Sequence, residues 1–104
     1  MINKHILYLG LNDKETKNQE ISTLDAYKIA MNLIAGVGYD GATITEATGF
    51  FTHADGSFVI EKSLRIEILF AEDEKTEKLI SDMKKTFNQE SIALQTEKIK
   101  SKLV

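Results

Sequence analysis

The 104-residue chain contains no cysteine. Disulfides, thiolate metal sites and a thiol nucleophile are excluded at once. Proline is absent too, an oddity that the physical chemistry of the chain does not explain. Histidine occurs only at His5 and His53, without the His-x-x-x-His or His-x-Glu spacing of a zinc site. Positive charge is in short supply: 13 Lys and Arg stand against 16 Asp and Glu, a formal net charge of −3. That sign disfavours nucleic acid, whose phosphates need a basic face. No apolar run reaches the length of a membrane span. The run Ile6 to Leu11 is too short for a secretory leader and is followed at once by charge. The expectation is a cytoplasmic protein with no nucleic acid and no membrane among its partners, and with no bound cofactor.

The common motifs of catalysis are missing as well. No serine stands in a G-x-S-x-G setting. GVGYDG at 36–41 is rich in glycine but follows a helix pattern rather than leading into one. A phosphate cradle needs the opposite order, with a helix N-terminus facing the anion. Ala54-Asp55-Gly56 lacks the alternating oxygens of a calcium loop.

What is present is ordinary globular material, 42% hydrophobic and 28% charged, enough for one domain over residues 1–104. HILYLGL at 5–11 reads as a strand buried on both faces. Ser22 and Thr23 offer helix caps, and Leu24, Tyr27, Met31 and Ile34, with Ala30 beside them, make a helical stripe. From Gly41 the composition turns to Thr and Ile and reads as a strand, and Asp55-Gly56 is a turn dipeptide. From Phe58 to Phe70 the apolar residues alternate with Glu61, Ser63, Arg65 and Glu67, the mark of a strand with one face on a core. Leu79, Ile80, Met83 and Phe87 stripe a second helix that Asp73 can cap, and Ser91 to Glu97 reads as a last strand.

The order β-α-β-β-α-β defines an α+β, ferredoxin-like domain: a four-stranded antiparallel sheet with two helices on one face. The other face then needs an explanation. On this reading Leu7, Leu9 and Leu11 require cover on whichever side the helices do not reach, and self-association supplies it.

GATITEATGF at 41–50, followed by LRIEILFAEDEKTEKLI at 64–80, resembles the matching stretch of the PII-type signalling proteins. In that family a G-x-T-V-T-E-x-x-G-F-like strand enters a projecting loop and an I-E-I-x-x-A-D-like strand enters the second helix. The resemblance implies homotrimers with ligand clefts between subunits, near the base of the loop. The chain departs from that family in its short 49–61 loop. It also has FNQES at 87–91 where the family carries its phosphate-holding loop, and it has lysines in place of a closing arginine pair. LYLGL, DGATI, the G-x-F-x-x-x-x-G of 49–56 and the F-x-Q-E-S-I of 87–92 also look like a family of small bacterial proteins without an assigned activity, and like small phage open reading frames.

Five residues are candidates for a ligand site: Gly49 and His53 on the hairpin, Arg65 on the central strand, and Gln89 and Ser91 before the last strand. Arg65 is the only arginine; it serves either in an ion pair at a subunit interface or as a fork for a phosphate or carboxylate. The function expected from these readings is non-enzymatic: an oligomer, a trimer by resemblance, binding a small anionic or nucleotide-like ligand between subunits. The alternative is a phage-encoded inhibitor that occupies a host protein or sequesters a nucleotide signal.

Overall fold

The computed structural model describes residues 1–52 and 54–104. Its elements follow in the expected order: β1 (Ile2–Gly10), α1 (Thr23–Gly36), β2 (Thr43–Thr52), β3 (Phe58–Leu69), α2 (Asp73–Thr86) and β4 (Ala93–Ile99). The strands form one sheet in the order β2-β3-β1-β4, every neighbouring pair antiparallel. This is the ferredoxin-like α+β arrangement, with the two most apolar strands in the centre.

Register decides which residues the helices cover. Leu7 lies opposite Ile66, Leu9 opposite Leu64, and His5 opposite Ile68. Period two puts all six on one face. There they meet Ala26, Ala30 and Ile34 of α1 and Leu79 and Met83 of α2. Each large apolar side chain fully buried here contributes about 1.5–3 kcal/mol against exposure.

The requirement of a partner to cover Leu7, Leu9 and Leu11 is therefore corrected: all three are buried within this chain, beneath the helices. The opposite face is mainly polar. Lys4, Tyr8, Ser63, Arg65, Glu67, Thr43, Thr45 and Gln95 alternate onto it, with Ile6 buried among them, opposite Glu67 on one side and Gln95 on the other.

Two local readings also shift. Helix α1 is capped by Ser22, whose hydroxyl accepts the Asp25 N–H at 3.2 Å. Its buried stripe is Ala26, Ala30 and Ile34, while Leu24 and Met31 are exposed. Small alanines let α1 lie close to the sheet, with Tyr27, Ile29 and Leu33 packed partly buried against the same core. His5 is wholly buried within β1. Strand β4 starts at Ala93, two residues later than the pattern suggested.

Helical cover ends midway along β3. Leu64, Ile66 and Ile68 are buried, whereas Ile60 and Phe58, on the same face toward the hairpin, are exposed. The β2–β3 hairpin thus runs out past the helices. The molecule measures 47 × 24 × 22 Å with a radius of gyration of 14.4 Å, against about 13 Å for a compact chain of this length. Gly56 turns the hairpin in the left-handed region, at φ 88°, and Asp55 Oδ1 accepts the Ser57 N–H at 2.9 Å.

Candidate functional site

On the helix-free face, where the hairpin leaves the body, the sheet carries a cleft of about 650 Å³. Its floor comes from β1 and β3: Tyr8, Gly10, Val59, Glu61 and Ser63, with Gly49 of β2 at the side. Its rim comes from two loops, through Asn12, Asp13, Lys14 and Lys17 on one side and Gln89, Glu90 and Ser91 on the other.

The floor owes its depth to two glycines. Gly49 pairs with Glu61 across β2 and β3, and Gly10 pairs with Ser63 across β1 and β3. Neither puts a side chain between Glu61 and the solvent. A Cβ built on Gly49 meets nothing within 4 Å, whereas one built on Gly10 would lie 2.8 Å from the Glu61 carboxylate. Glu61 therefore lies over Gly10, and its Oε2 accepts the Asn12 N–H at 2.9 Å.

The rim is tied together by hydrogen bonds. Asp13 Oδ1 accepts the N–H groups of Glu15 and Thr16 at 2.8 and 3.0 Å, and its Oδ2 accepts from Asn88 Nδ2 at 2.9 Å. The Lys14 N–H donates to the Asn88 carbonyl at 3.0 Å, and Gln89 Nε2 donates to the Asn12 carbonyl. The Asn88 amide above all, then the two backbone N–H groups, hold the Asp13 carboxyl below its usual 3.8. Loop 12–20 and turn 87–91 are consequently one unit, set before any ligand arrives.

Beside the cleft runs a ladder of charge. Arg65 Nη1 donates to Glu67 Oε2 at 2.9 Å, and Arg65 Nε donates to Tyr8 Oη at 3.3 Å. Lys4 Nζ lies 3.6 Å from Glu67 and 3.4 Å from Glu97. The hydrogen bond from Arg65 holds the Glu67 carboxyl low, and in return Glu67 and then Tyr8 hold the guanidinium high. The arginine fork is thus engaged within its own chain and orients Tyr8 on the cleft floor.

Three of the five residues expected at a site, Gly49, Gln89 and Ser91, line this one cleft. Gln89 does so as a clamp, its amide nitrogen bonded to Asn12. Arg65 stands behind Tyr8 and is not part of the lining. His53 lies outside the described residues. Glu61, Gly10, Tyr8 and Asn12 were not read as site residues from the sequence. Only the strand register, with a glycine across from Glu61 and another diagonal to it, brings them together. No group of three or more potential metal-ligating His, Asp or Glu side chains occurs among the described residues. Among the described residues no helix is long and apolar enough to cross a membrane.

Residues 4–103 match the model of a protein family described as "Protein of unknown function (DUF3574)". The chain belongs to that family. No curated protein matches it. Among solved structures it is similar to a phage SAM lyase in complex with S-methyl-5'-thioadenosine, with a TM-score of 0.71 and 21% identity. That alignment covers 91% of this chain and 79% of the other. It is also similar to the periplasmic divalent cation tolerance protein CutA from Archaeoglobus fulgidus, with a TM-score of 0.58 and 16% identity over 96% and 87% of the two chains. CutA from Synechococcus elongatus gives a TM-score of 0.59 at 9% identity over 93% and 80%. At these identities the likeness shows the fold alone, the ferredoxin-like arrangement already seen in the sheet order.

The expectation of a non-enzymatic protein is overturned by the same finding. It rested on the lack of a recognisable catalytic motif, yet a chain of this fold and nearly this size is a lyase. A fold whose sites are assembled by register and by loops need carry no contiguous motif.

Proposed function

We propose that this chain binds a small adenosyl-type molecule in the cleft over Gly10, Gly49 and Glu61. The observation that carries the reading is the cleft itself: a glycine-floored recess with a preset hydrogen-bonded rim and one oriented aromatic, Tyr8. An aromatic ring beside backbone and amide groups suits a planar heterocycle with polar edges. The likeness to a phage lyase that holds S-methyl-5'-thioadenosine supports that choice of ligand class. Self-association belongs to the same reading. Three copies are what the PII resemblance implies, and the exposed apolar residues of the hairpin support it.

Calorimetric titration of S-methyl-5'-thioadenosine into the wild-type chain and into Gly49→Ile tests the proposal. Gly49 lies within a strand, outside the left-handed region and with open space above it, so a β-branched side chain fits without strain. It projects into the cleft. Saturable binding by the wild type and none by a fully folded Gly49→Ile is the expected result. Equal binding by both chains, or none by the wild type, overturns the assignment.

A further inference from the structure

Glu61 differs from the other partly buried carboxylate on its face of the sheet. Glu67 has two cationic partners, Arg65 at 2.9 Å and Lys4 at 3.6 Å. Glu61 has none: among the described residues its only hydrogen bond is from the Asn12 N–H, and no ammonium or guanidinium group lies within 4.0 Å. Lys17 is engaged with the Lys14 carbonyl on the rim. The cleft lining holds three carboxylates, Asp13, Glu61 and Glu90, against two ammonium groups, Lys14 and Lys17. A carboxylate withdrawn from water costs free energy unless a positive charge meets it. Gly10 leaves room for the carboxylate itself, and Gly49 across from it leaves the space beside it open to a ligand.

We infer that the cleft takes the cationic part of its ligand, an ammonium or sulfonium group, against the Glu61 carboxylate. The inference rests on the cleft being the small-molecule site and adds the charge of what it selects. Tyr8 and the rim amides receive the remainder of the molecule, and a phosphate at this position would meet an acid without a counter-ion. Glu61 is here a specificity-determining residue, chosen by its position over Gly10 and by its lack of a cationic partner among the described residues. The sulfonium of a SAM-type molecule and the ammonium of an aminonucleoside share the chemistry.

Two probes that differ by one methyl group and one positive charge separate the possibilities: S-methyl-5'-thioadenosine and its S-methylated 5'-dimethylsulfonium form. The wild type is expected to bind the sulfonium roughly tenfold or more tightly, the scale of a charged interaction in a part-buried site. Glu61→Gln, which keeps the shape and can still accept the Asn12 N–H, is expected to lose the preference, the ratio of its affinities for the two probes falling toward one. Raising the salt concentration should narrow the wild-type preference, which gives a readout independent of whether the variant folds. Binding of the thioether without preference for the sulfonium, or a preference that survives in Glu61→Gln, overturns this inference and leaves the cleft as the ligand site. Failure of both probes to bind the wild type overturns the cleft reading and this inference with it.

Discussion

The Glu61 carboxylate occupies the space that a side chain on Gly10 would need: a Cβ there would lie 2.8 Å from both of its oxygens. Gly10 has no positive φ, so its role is to leave room rather than to make a turn. The pair fixes where the acid sits on the cleft floor, and the Asn12 N–H holds it there.

That relationship predicts a change of sign in a double-mutant cycle. With Glu61 present, Gly10→Ala displaces the carboxylate from Asn12 and should lower stability by about 1 kcal/mol. In a Glu61→Ala background the obstacle is gone. The same substitution should then stabilise by about 0.5–1 kcal/mol, because alanine loses less backbone freedom than glycine in a strand. Urea unfolding of the four chains measures both effects, and equal effects in the two backgrounds would remove Glu61 from above Gly10.

Acid should loosen the rim before it unfolds the core. The Asp13 carboxyl is held below 3.8 in the folded chain by Asn88 and two backbone N–H groups. A depressed folded pKa means that its stabilising contribution is complete above the unfolded value and is lost as pH falls through the folded value. The melting temperature of Asp13→Ala should therefore lie below that of the wild type by a constant interval near neutral pH. Below pH 3.8 the two curves should converge. An interval that stays constant to low pH would show that the hydrogen bonds do not depend on ionised Asp13.

The sequence states some of these features and conceals others for physical reasons. Alternation from Phe58 onward and the helix stripes are local, so element order and the ferredoxin-like topology could be read directly. Which face of β1 the helices cover is a register property, and a near-continuous apolar run does not reveal it. Leu7 and Leu9 were accordingly placed under a partner when they lie under α1 and α2. Gly49 at the hairpin base and Gln89 and Ser91 of the 87–91 turn meet at one cleft because loops cluster at one end of such a sheet. Glu61 was not, since a glutamate on the solvent face of a strand has no distinguishing spacing. Its meaning comes from Gly10 and Gly49, which are distant in sequence and adjacent only in the sheet.

The projecting hairpin should drive self-association. Phe50 is 73% exposed, Phe58 59% and Ile60 62%, and the two rings pack at 5.6 Å between centroids. Phe50 and Ile60 are register partners, so the three residues form one patch rather than scattered exposure. Sedimentation velocity should find the wild-type chain oligomeric and Phe50→Ser/Phe58→Ser shifted to monomer with little change in helix content. A wild type that remains monomeric at high micromolar concentration, or a variant with the same assembly, would assign the patch no role in self-contact.

Tyr39 should prove to be the cap of α2. Glu72, at the N-cap position, makes no side-chain cap bond. Tyr39 Oη instead accepts the Glu72 N–H at 2.9 Å and lies 2.7 Å from Thr76 Oγ1, which in turn lies 2.7 Å from His5 Nδ1. One hydroxyl, brought in from the α1–β2 loop, thus serves an N–H at the helix start and closes a buried chain that reaches β1. Tyr39→Phe keeps the ring and removes only that oxygen. It leaves the Glu72 N–H without its acceptor and Thr76 without one of its two partners. Truncating a buried polar network in this way costs about 1–3 kcal/mol. The loss should appear in the urea midpoint, with faster amide exchange confined to the first turn of α2 and no change in ligand affinity at the distant cleft. A loss below about 0.5 kcal/mol, the range of an ordinary surface substitution, would mean that water replaces the hydroxyl and that Tyr39 acts through its ring alone.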